Sequence, residues 1–368
     1  MYDHLHYFQA GERHCAVALP FPLAAVVEEW RGLRSSMARQ CFEPFTREEW
    51  GYLLEYLEPS NLLLPFVQSF GKLVQMPTGD VEHLLRPRGL VAVWLPNNVG
   101  ILGPLMLVII SLTGNPVKLK VASQGQNLAK AFMDFALPRL SSGSLRMYLE
   151  HSVVVERFDH GDSRNLTMAA EASVRLSFGS DESVAVIEAL PHPIDSIGFG
   201  FRGRQSEAWI EAALVDEAVL RELIQVFSVY GQAGCTSPRR LVVLDGHIAD
   251  CIRIRDELLR LWPQIVQGEP SMSVASANVA AKQWAMAAGW DAVLAQGNAC
   301  VLAIGSIELP TVPNVMTLEI VPATVDDTIN HLPANIQTIG YMIRNARVSR
   351  WLSVLASTKV KRLSLIHI

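Results

Sequence analysis

Short apolar segments alternate along this chain with longer segments whose apolar residues recur at helical spacing. Residues 90–95 form an apolar segment that ends at Pro96, and residues 117–122 follow a turn that begins at Gly114. Residues 216–230 place Leu, Ile and Phe on one helical face. Further strands are expected at residues 173–178, 194–201, 241–244, 300–304, 316–321 and 337–343, and further helices at 126–137 and 280–288. This alternation predicts an α/β protein with mostly parallel sheets.

Composition limits the classes of function. The 368 residues are 50% hydrophobic and 18% charged, which is enough apolar surface for two domains with large cores. Lys and Arg number 31 against 36 Asp and Glu, a net charge of −5 without a basic run, so nucleic acid is not expected as a partner. Residues 1–30 lack the shape of a signal peptide. The longest apolar run, residues 99–112, is too short to span a bilayer and predicts a buried helix.

The cysteines are odd in number and widely spaced. None of them forms a CxxC pair, so neither a disulfide framework nor a metal site is expected, and a reducing cytoplasm fits best. The five are Cys15, Cys41, Cys235, Cys251 and Cys300.

The segment at residues 231–239 is the most informative for chemistry. Cys235 lies there between a predicted helix and a predicted strand, among small residues that let a substrate carbonyl approach the sulfur. Arg239 and Arg240 are close in sequence and can favour the thiolate, which is the nucleophilic form. The alternative interpretation is a buried structural cysteine, the usual fate of a free thiol.

Two further segments place polar residues at the ends of predicted strands. Asn97 and Asn98 follow the strand at residues 90–95, where an amide can donate a hydrogen bond to a developing oxyanion. Lys118 and Lys120 share one face of the next strand and can hold a ribose or a phosphate. The alternatives are helix-capping asparagines and solvated lysines.

Gly179 and Ser180 stand between a predicted strand and a predicted helix. Backbone amides at such a helix start can bind an anion. The alternative is a simple helix cap with the acidic Asp181 and Glu182 in the first turn. No GxGxxG or P-loop pattern occurs in a suitable place.

In this order and at these separations, the four segments resemble the aldehyde dehydrogenase superfamily. Its pattern runs Pro-x-Asn, Gly-Asn-x-Val-x-x-Lys, Gly-Ser opening a helix, and Gly-Gln before the cysteine. The matching residues are 96–98, 114–120, 179–180 and 231–235, and the resemblance covers roughly residues 90–343.

Within that superfamily the chain is similar to the LuxC-type acyl-CoA reductases, which reduce fatty acyl thioesters to aldehydes. Cys235 is followed by Thr-Ser-Pro, as in that family. Residues 179–182 resemble its Gly-Gly-Asp-Glu element, and residues 335–340 resemble its Leu-Gln-Thr-Val-Gly element. Arg204 and Ser206 loosely match a Gly-x-Arg-x-Ser element.

Two departures from the superfamily pattern bear on the chemistry. Aldehyde-oxidising members carry a Glu that activates water, but residues 198–203 have no carboxylate and only Asp195 and Glu207 flank them. A thioester formed here is then expected to leave by transthiolation or reduction. Many NAD-preferring members have Glu three residues past the lysine. Here that position, three past Lys120, is Ser123, so a 2′-phosphate is not repelled.

The resemblance implies NADPH-dependent reduction of an acyl-CoA or acyl-carrier-protein thioester to an aldehyde, with NADH as the other possible cofactor. Cys235 is the implied nucleophile and Asn98, or alternatively Asn97, the implied oxyanion donor. The implied cofactor-binding residues are Lys120, Ser123, Gly179 and Ser180. Partner subunits such as an acyl-protein synthetase or transferase are implied, as is a homo-oligomer.

The resemblance also implies a domain arrangement. A Rossmann-like NAD(P)-binding domain is expected at residues 1–205, an α/β catalytic domain with the nucleophile at 206–335, and a return toward the cofactor domain at 336–362. Residues 363–368 match the translation of a sequencing adapter and are expected to be a non-native tail after a C-terminal truncation, with a native strand as the alternative. Residues 1–89 carry no assigned motif.

Other functions stay open from the sequence. An NAD(P)-dependent aldehyde dehydrogenase would oxidise its substrate, and Glu207 is then the candidate base. A cysteine acyltransferase would use Cys235 without a redox step. A scaffold protein with a decayed site is a third alternative, against which the intact segment around Cys235 argues.

Overall fold

The computed structural model describes residues 4–77, 79–232, 234, 236–313, 316–344, 351, 355, 356 and 358, together with the backbone of residues 362–365. The chain divides into two compact units, Met1–Arg202 and Gly203–Ile368. Among these described residues, two sheets lie in the first unit and one in the second.

The first unit begins with a small sheet and three helices, in the region where no motif was assigned. The strands are β1 (His4–Ala10), β2 (Arg13–Leu19), β3 (Lys72–Val74) and β4 (His83–Leu85), in the order β3-β1-β2-β4. The helices are α1 (Leu23–Met37), α2 (Arg47–Tyr56) and α3 (Pro59–Phe70). Thr46 caps α2, since its hydroxyl accepts from the Glu49 N–H at 3.1 Å. Trp30, Leu53 and Leu62, one from each helix, are fully buried.

The second sheet of this unit has five parallel strands. They are β5 (Val91–Trp94), β6 (Val117–Val121), β7 (Val153–Arg157), β8 (Val174–Phe178) and β9 (Ile197–Phe201). Their order is β7-β6-β5-β8-β9, and every neighbouring pair is parallel. Counted along the chain, the order is third, second, first, fourth, fifth, which is that of a Rossmann fold. The predicted Rossmann-like fold is therefore confirmed.

Helices connect these strands as parallel pairing requires. They are α4 (Leu102–Thr113), α5 (Leu128–Ala136), α6 (Ser144–His151), α7 (Arg164–Glu171) and α8 (Asp181–Glu188). The apolar run at residues 99–112 contributes α4, in which Leu107 and Val108 are fully buried, as predicted. Among the described residues, no helix is both long enough and apolar enough to cross a membrane.

The second unit is built on one seven-stranded sheet. Its strands are β10 (Gln205–Glu211), β11 (Pro238–Leu244), β12 (Asp291–Leu294), β13 (Val301–Ile304), β14 (Thr317–Ala323), β15 (Ile336–Met342) and β16 (Arg362–Leu365). The order is β12-β13-β14-β11-β10-β15-β16, with only the β12–β13 pair antiparallel. The helices are α9 (Glu217–Ser228), α10 (Ile248–Ile265), α11 (Met272–Ala287) and α12 (Val325–Asn330).

This sheet is buried on both faces. Leu241 and Val243 of β11 pack into one apolar cluster with α9 and α10, and Val242 and Leu244 pack into a second cluster with α11. A central parallel strand is covered on both faces, which fits the four consecutive apolar residues 241–244 of β11.

The predicted domain limits at residues 205, 335 and 362 stay predictions. In the structure β15 pairs with β10, and β16 pairs with β15, so both strands extend the sheet of the second unit. Residues 363–365 belong to β16, while 366–368 lie outside the described residues. That the tail is non-native also stays a prediction.

Candidate active site

The five-stranded sheet has a point where its connections change direction. From β5 the chain leads to β6 on one side, and β8 and β9 lie on the other side. Open α/β sheets bind ligands outside the carboxyl ends of their strands at such a point. Asn97 and Asn98 follow β5, and Gly179 and Ser180 follow β8. The fold thus brings two of the predicted segments to one edge of the sheet.

The amides after β5 are exposed. A Cβ built at Gly125 would lie 3.1 Å from Asn97 Oδ1, so the loop after β6 passes close to that amide. Asn98 is the next residue and is also exposed, but it is engaged in an interaction of its own.

The two lysines of β6 have different surroundings. The Lys118 Nζ lies 2.5 Å from Glu171 Oε2 in a partly exposed ion pair. Lys120 is only 3% exposed, and its Nζ lies 5.7 Å from the centre of the Phe158 ring. Burial lowers the pKa of the Lys120 amine, and the nearby Asp159 carboxylate partly opposes that shift. Lys120 is thus a cation held near the sheet edge, as a phosphate or ribose partner would be.

The loop after β6 contains no carboxylate between residues 122 and 127, and Ser123 is half-buried in it. Arg157, the last residue of β7, is paired in register with Val121. Its Nη2 donates to the Gly125 carbonyl oxygen at 2.8 Å. Sequence analysis missed Arg157, because β7 itself was not recognised. The signal that finds it is its place at the end of the third strand of a Rossmann order.

Ser180 is the N-cap of α8. Its hydroxyl accepts from the Ser183 N–H at 3.2 Å. Asp181 and Glu182 occupy the first turn, and hydrogen bonds to its own backbone N–H and to Ser180 lower the pKa of the Glu182 carboxyl. The capping alternative is therefore present in the structure. Because carboxylates already occupy this helix start, it offers less to a phosphate than a bare terminus would.

Cys235 and its neighbour Ala233 lie outside the described residues. The residues around them connect α9 to β11, as predicted. The Ser237 N–H donates to the Gly234 carbonyl oxygen at 3.0 Å, and Ser237 is buried. The proposed nucleophile thus stands in a short connection that leads directly into a central strand.

A family model described as acyl-CoA reductase (LuxC) matches residues 77–364. The match covers most of the 368 residues and includes Asn98, Lys120 and the connection from α9 to β11. The chain belongs to the LuxC family of acyl-CoA reductases. It is therefore an oxidoreductase that acts on an acyl thioester, as predicted.

Solved structures support the fold of this LuxC family chain. A NAD-dependent benzaldehyde dehydrogenase from Corynebacterium glutamicum has a TM-score of 0.66 at 11% identity, over 94% of this chain and 80% of that one. A succinic semialdehyde dehydrogenase from Streptococcus pyogenes, in complex with NADP+, has a TM-score of 0.67 at 14% identity, over 94% and 82%. A NAD-dependent aldehyde dehydrogenase from Sinorhizobium meliloti has a TM-score of 0.70 at 13% identity, over 95% and 76%. No curated protein sequence matches significantly.

Arg239 and Arg240, which follow the predicted nucleophile in the sequence, have structural partners. Arg240 lies within 3.3 Å of Glu207 Oε1 and 3.2 Å of Glu319 Oε2, and all three side chains are buried. Their residues are directly opposite one another on β10, β11 and β14. Arg239 donates to the Val312 carbonyl oxygen at 2.9 Å. These contacts do not support the expectation that the two cations stabilise the thiolate.

The same contacts occupy Glu207, the candidate base of the oxidising alternative. Besides Arg240, Glu207 accepts a hydrogen bond from Trp209 Nε1 at 2.8 Å. Burial raises the pKa of the Glu207 and Glu319 carboxyls, and the charge of Arg240 opposes the rise. The Glu207 carboxylate is therefore engaged by Arg240 and Trp209 within the sheet and is poorly placed to activate water.

Two buried cysteines of this LuxC family chain, Cys251 and Cys300, are weak nucleophiles. Burial raises the pKa of Cys251 to about 12 and also raises the pKa of Cys300. At neutral pH both thiols stay protonated, which is the unreactive form. Within the described part of the chain, no group of three or more His, Cys, Asp or Glu side chains could hold a metal ion.

Proposed function

We propose that this chain reduces a fatty acyl thioester to an aldehyde with NADPH, and that the acyl group is carried on Cys235 during the reaction. The family match across residues 77–364 carries the proposal, because it includes both Asn98 and the segment around Cys235. The likeness to nicotinamide-dependent dehydrogenases supports the choice of cofactor class.

The residues at the edge of the five-stranded sheet fit a nicotinamide dinucleotide. The Rossmann strand order provides the crevice, and Lys120 provides a buried cation close to it. Lys120 and Ser123 would hold the adenine ribose, and Gly179 and Ser180 the phosphates. NADPH is favoured over NADH because residues 122–127 lack a carboxylate, and the Arg157 guanidinium contacts the same loop.

The chemistry begins with attack of the Cys235 thiolate on the thioester carbonyl carbon. A carbon–sulfur bond forms and the carbonyl electrons move to oxygen. The Asn98 amide and the Cys235 backbone N–H donate hydrogen bonds to this oxyanion. When the oxyanion collapses, the bond to the first thiol breaks and the acyl group remains on Cys235.

NADPH, when held by Lys120, Ser123, Gly179 and Ser180, would supply the hydride for reduction of the acyl carbon. The same donors then stabilise the second oxyanion, and its collapse breaks the bond to Cys235, which releases the aldehyde and restores the thiolate. Hydrolysis would compete only if a base activated water. Residues 198–203 carry no carboxylate, and Glu207 is paired with Arg240, so the acyl group persists long enough to be reduced.

The test is to mix the protein with a long-chain acyl-CoA and NADPH, follow the loss of NADPH absorbance, and trap aldehyde. Aldehyde formation that disappears in Cys235→Ala supports the proposal. Aldehyde formation that persists in Cys235→Ala rejects Cys235 as the carrier. A stable acyl group on Cys235 without NADPH loss places the protein among the cysteine acyltransferases, and water-dependent oxidation of aldehyde with NAD(P)+ alone favours the oxidising alternative.

The proposal extends to partners and compartment. An acyl-carrier protein is an equivalent donor, because the attacked group is the same thioester. We also propose a cytoplasmic homo-oligomer that works with an acyl-protein synthetase or transferase subunit. Light scattering of the purified protein gives the number of subunits. Acyl transfer from a partner's acyl-enzyme to Cys235, measured by mass spectrometry, tests the association.

A further inference from the structure

The connection that precedes Cys235 has an unusual backbone. Tyr230 and Gly231 have left-handed conformations, with φ of 51° and 61°, and Gln232 follows with φ of 62°. Residues with a Cβ are disfavoured there, because the Cβ comes too close to a carbonyl oxygen. Two such residues flanking a glycine persist only when surrounding contacts hold them in place.

The side chain of Gln232 provides such contacts. Its Nε2 donates to the Pro238 carbonyl oxygen at 2.9 Å and to the Thr317 carbonyl oxygen at 2.8 Å. Its Oε1 accepts from the Thr317 N–H at 3.0 Å. The residue is only 7% exposed. One carboxamide therefore joins both ends of the segment 232–238 to the first residue of β14.

The strand that receives these hydrogen bonds is itself fixed. Glu319 lies two residues beyond Thr317 on β14 and is paired with Arg240 of β11. Its Oε1 also accepts from the Val312 N–H at 2.8 Å. The Gln232 carboxamide is thus anchored to a strand that the buried ion pair holds against β11.

We propose that Gln232 is a positioning residue for Cys235. The inference rests on the proposed function, in which Cys235 attacks the thioester. Only an amide can both donate two hydrogen bonds and accept one here, since a carboxylate cannot donate and an apolar chain can do neither. Removal of the carboxamide leaves three backbone groups without this partner and releases the left-handed turn. Acyl transfer to Cys235 then becomes slower.

The second unit contains a matched amide away from this segment. Asn278 of α11 is 1% exposed, and its Nδ2 donates to the carbonyl oxygens of Asn298 and Ala299 at 2.8 and 3.0 Å. That turn also contains left-handed residues, with φ of 66° at Gly297 and 58° at Asn298. Asn278→Leu thus removes a buried amide from a left-handed turn with no proposed nucleophile.

The experiment compares Gln232→Met, Gln232→Glu and Asn278→Leu with the unaltered protein. The first-order rate of acyl transfer from acyl-CoA to Cys235 is measured by mass spectrometry without NADPH, together with the KM for acyl-CoA and the melting temperature. Gln232→Met is expected to slow acyl transfer about 100-fold, the scale of a displacement of roughly 1 Å, with KM within about twofold. Gln232→Glu keeps the hydrogen bond from the Thr317 N–H. Its rate of acyl transfer is expected to lie between those of Gln232→Met and the unaltered protein.

Asn278→Leu is expected to lower the melting temperature about as much as Gln232→Met does. Its rate of acyl transfer is expected to stay within about twofold of that of the unaltered protein. If Gln232→Met does not fold, Gln232→Glu decides the question. The inference is overturned if the Gln232 variants transfer the acyl group at the normal rate, or slow it no more than Asn278→Leu does. Acylation that persists in Cys235→Ala would instead reject the proposed function, in which Cys235 carries the acyl group.

Discussion

The cofactor edge of the first unit and the nucleophile segment of the second are built differently. At the cofactor edge Asn97, Asn98 and Ser180 lie beyond the carboxyl ends of parallel strands and are exposed, although Lys120 lies within β6 and is buried. In the second unit the proposed nucleophile precedes the amino end of β11, and its neighbours Gln232 and Ser237 are buried.

The difference follows from what each region has to do. A cofactor that enters and leaves in every turnover needs an open edge, where loops can meet it without unfolding. A nucleophile needs a fixed direction of approach, and buried hydrogen bonds supply it. Variants of the exposed residues at the cofactor edge should therefore change binding or rate with little loss of stability. Variants of the buried residues in and next to β11 should change stability as well.

The largest effect is expected from Arg240→Leu. This change leaves Glu207 and Glu319 buried without their cation, a situation that typically costs about 3–5 kcal/mol. The free energy of unfolding, measured by urea denaturation at pH 8, should fall by that amount. A matched surface change, Arg221→Leu, also removes an ion pair but leaves the partner in water, and it should have little effect. Equal losses from both variants would contradict the structural role of Arg240.

In contrast to Arg240→Leu, Asn98→Ala should lower the reaction rate without lowering the stability of the fold. Loss of one oxyanion donor is expected to lower kcat about 10²- to 10³-fold, while the melting temperature stays nearly unchanged because the residue is exposed. Steady-state kinetics with acyl-CoA and NADPH measure the effect. Asn97→Ala is the control, since its amide lies against the loop at Gly125. A larger loss in the Asn97 variant would transfer the role to that residue.

Sequence analysis located the parts of the fold that local patterns determine. Strands β5, β6 and β8 are apolar and bounded by Gly, Pro or Asn, so their limits were found within one or two residues. The Rossmann-like fold was expected from the family resemblance, because β7 was not recognised and three strands alone do not determine a strand order. At the site, the same patterns led to Asn98, Lys120 and Ser180, and the structure has Asn98 after β5, Lys120 in β6 and Ser180 at the start of α8, while their roles stay predictions.

Long-range pairs account for what the sequence did not reveal. Glu207 looks like a free base in the sequence, because its partners Arg240 and Glu319 are far along the chain and meet it only across the sheet. Strand β10 was missed for the same reason, since Glu207 and Glu211 make it look exposed although both are buried. Proximity in sequence was equally misleading for Arg240, whose charge is directed at carboxylates within the sheet.

The open edge should also control the choice of cofactor. Ser123→Glu places a carboxylate in the loop after β6, where it would repel a 2′-phosphate and could accept from a ribose hydroxyl. The dissociation constant for NADPH should rise about tenfold relative to that for NADH, which corresponds to about 1.4 kcal/mol. Quenching of tryptophan fluorescence measures both constants. Ser123→Gln, which adds the same bulk without charge, should leave the ratio unchanged, and a shift in that variant would point to crowding as the cause.

The smallest effect concerns the pH dependence of the buried carboxyls. The pKa of Glu207 is raised above 4.5 in the folded protein, so the folded state binds this proton more tightly than the unfolded chain does. Its contribution to the free energy of unfolding therefore falls as the pH rises from about 4.5 through the folded pKa. Glu207→Gln removes that fall but keeps an oxygen for the Trp209 N–H. The stability of the variant relative to the unaltered protein should increase with pH in urea denaturation. If the two stability curves run parallel, Arg240 fully offsets the burial of Glu207, and the pKa of the Glu207 carboxyl is not raised by folding.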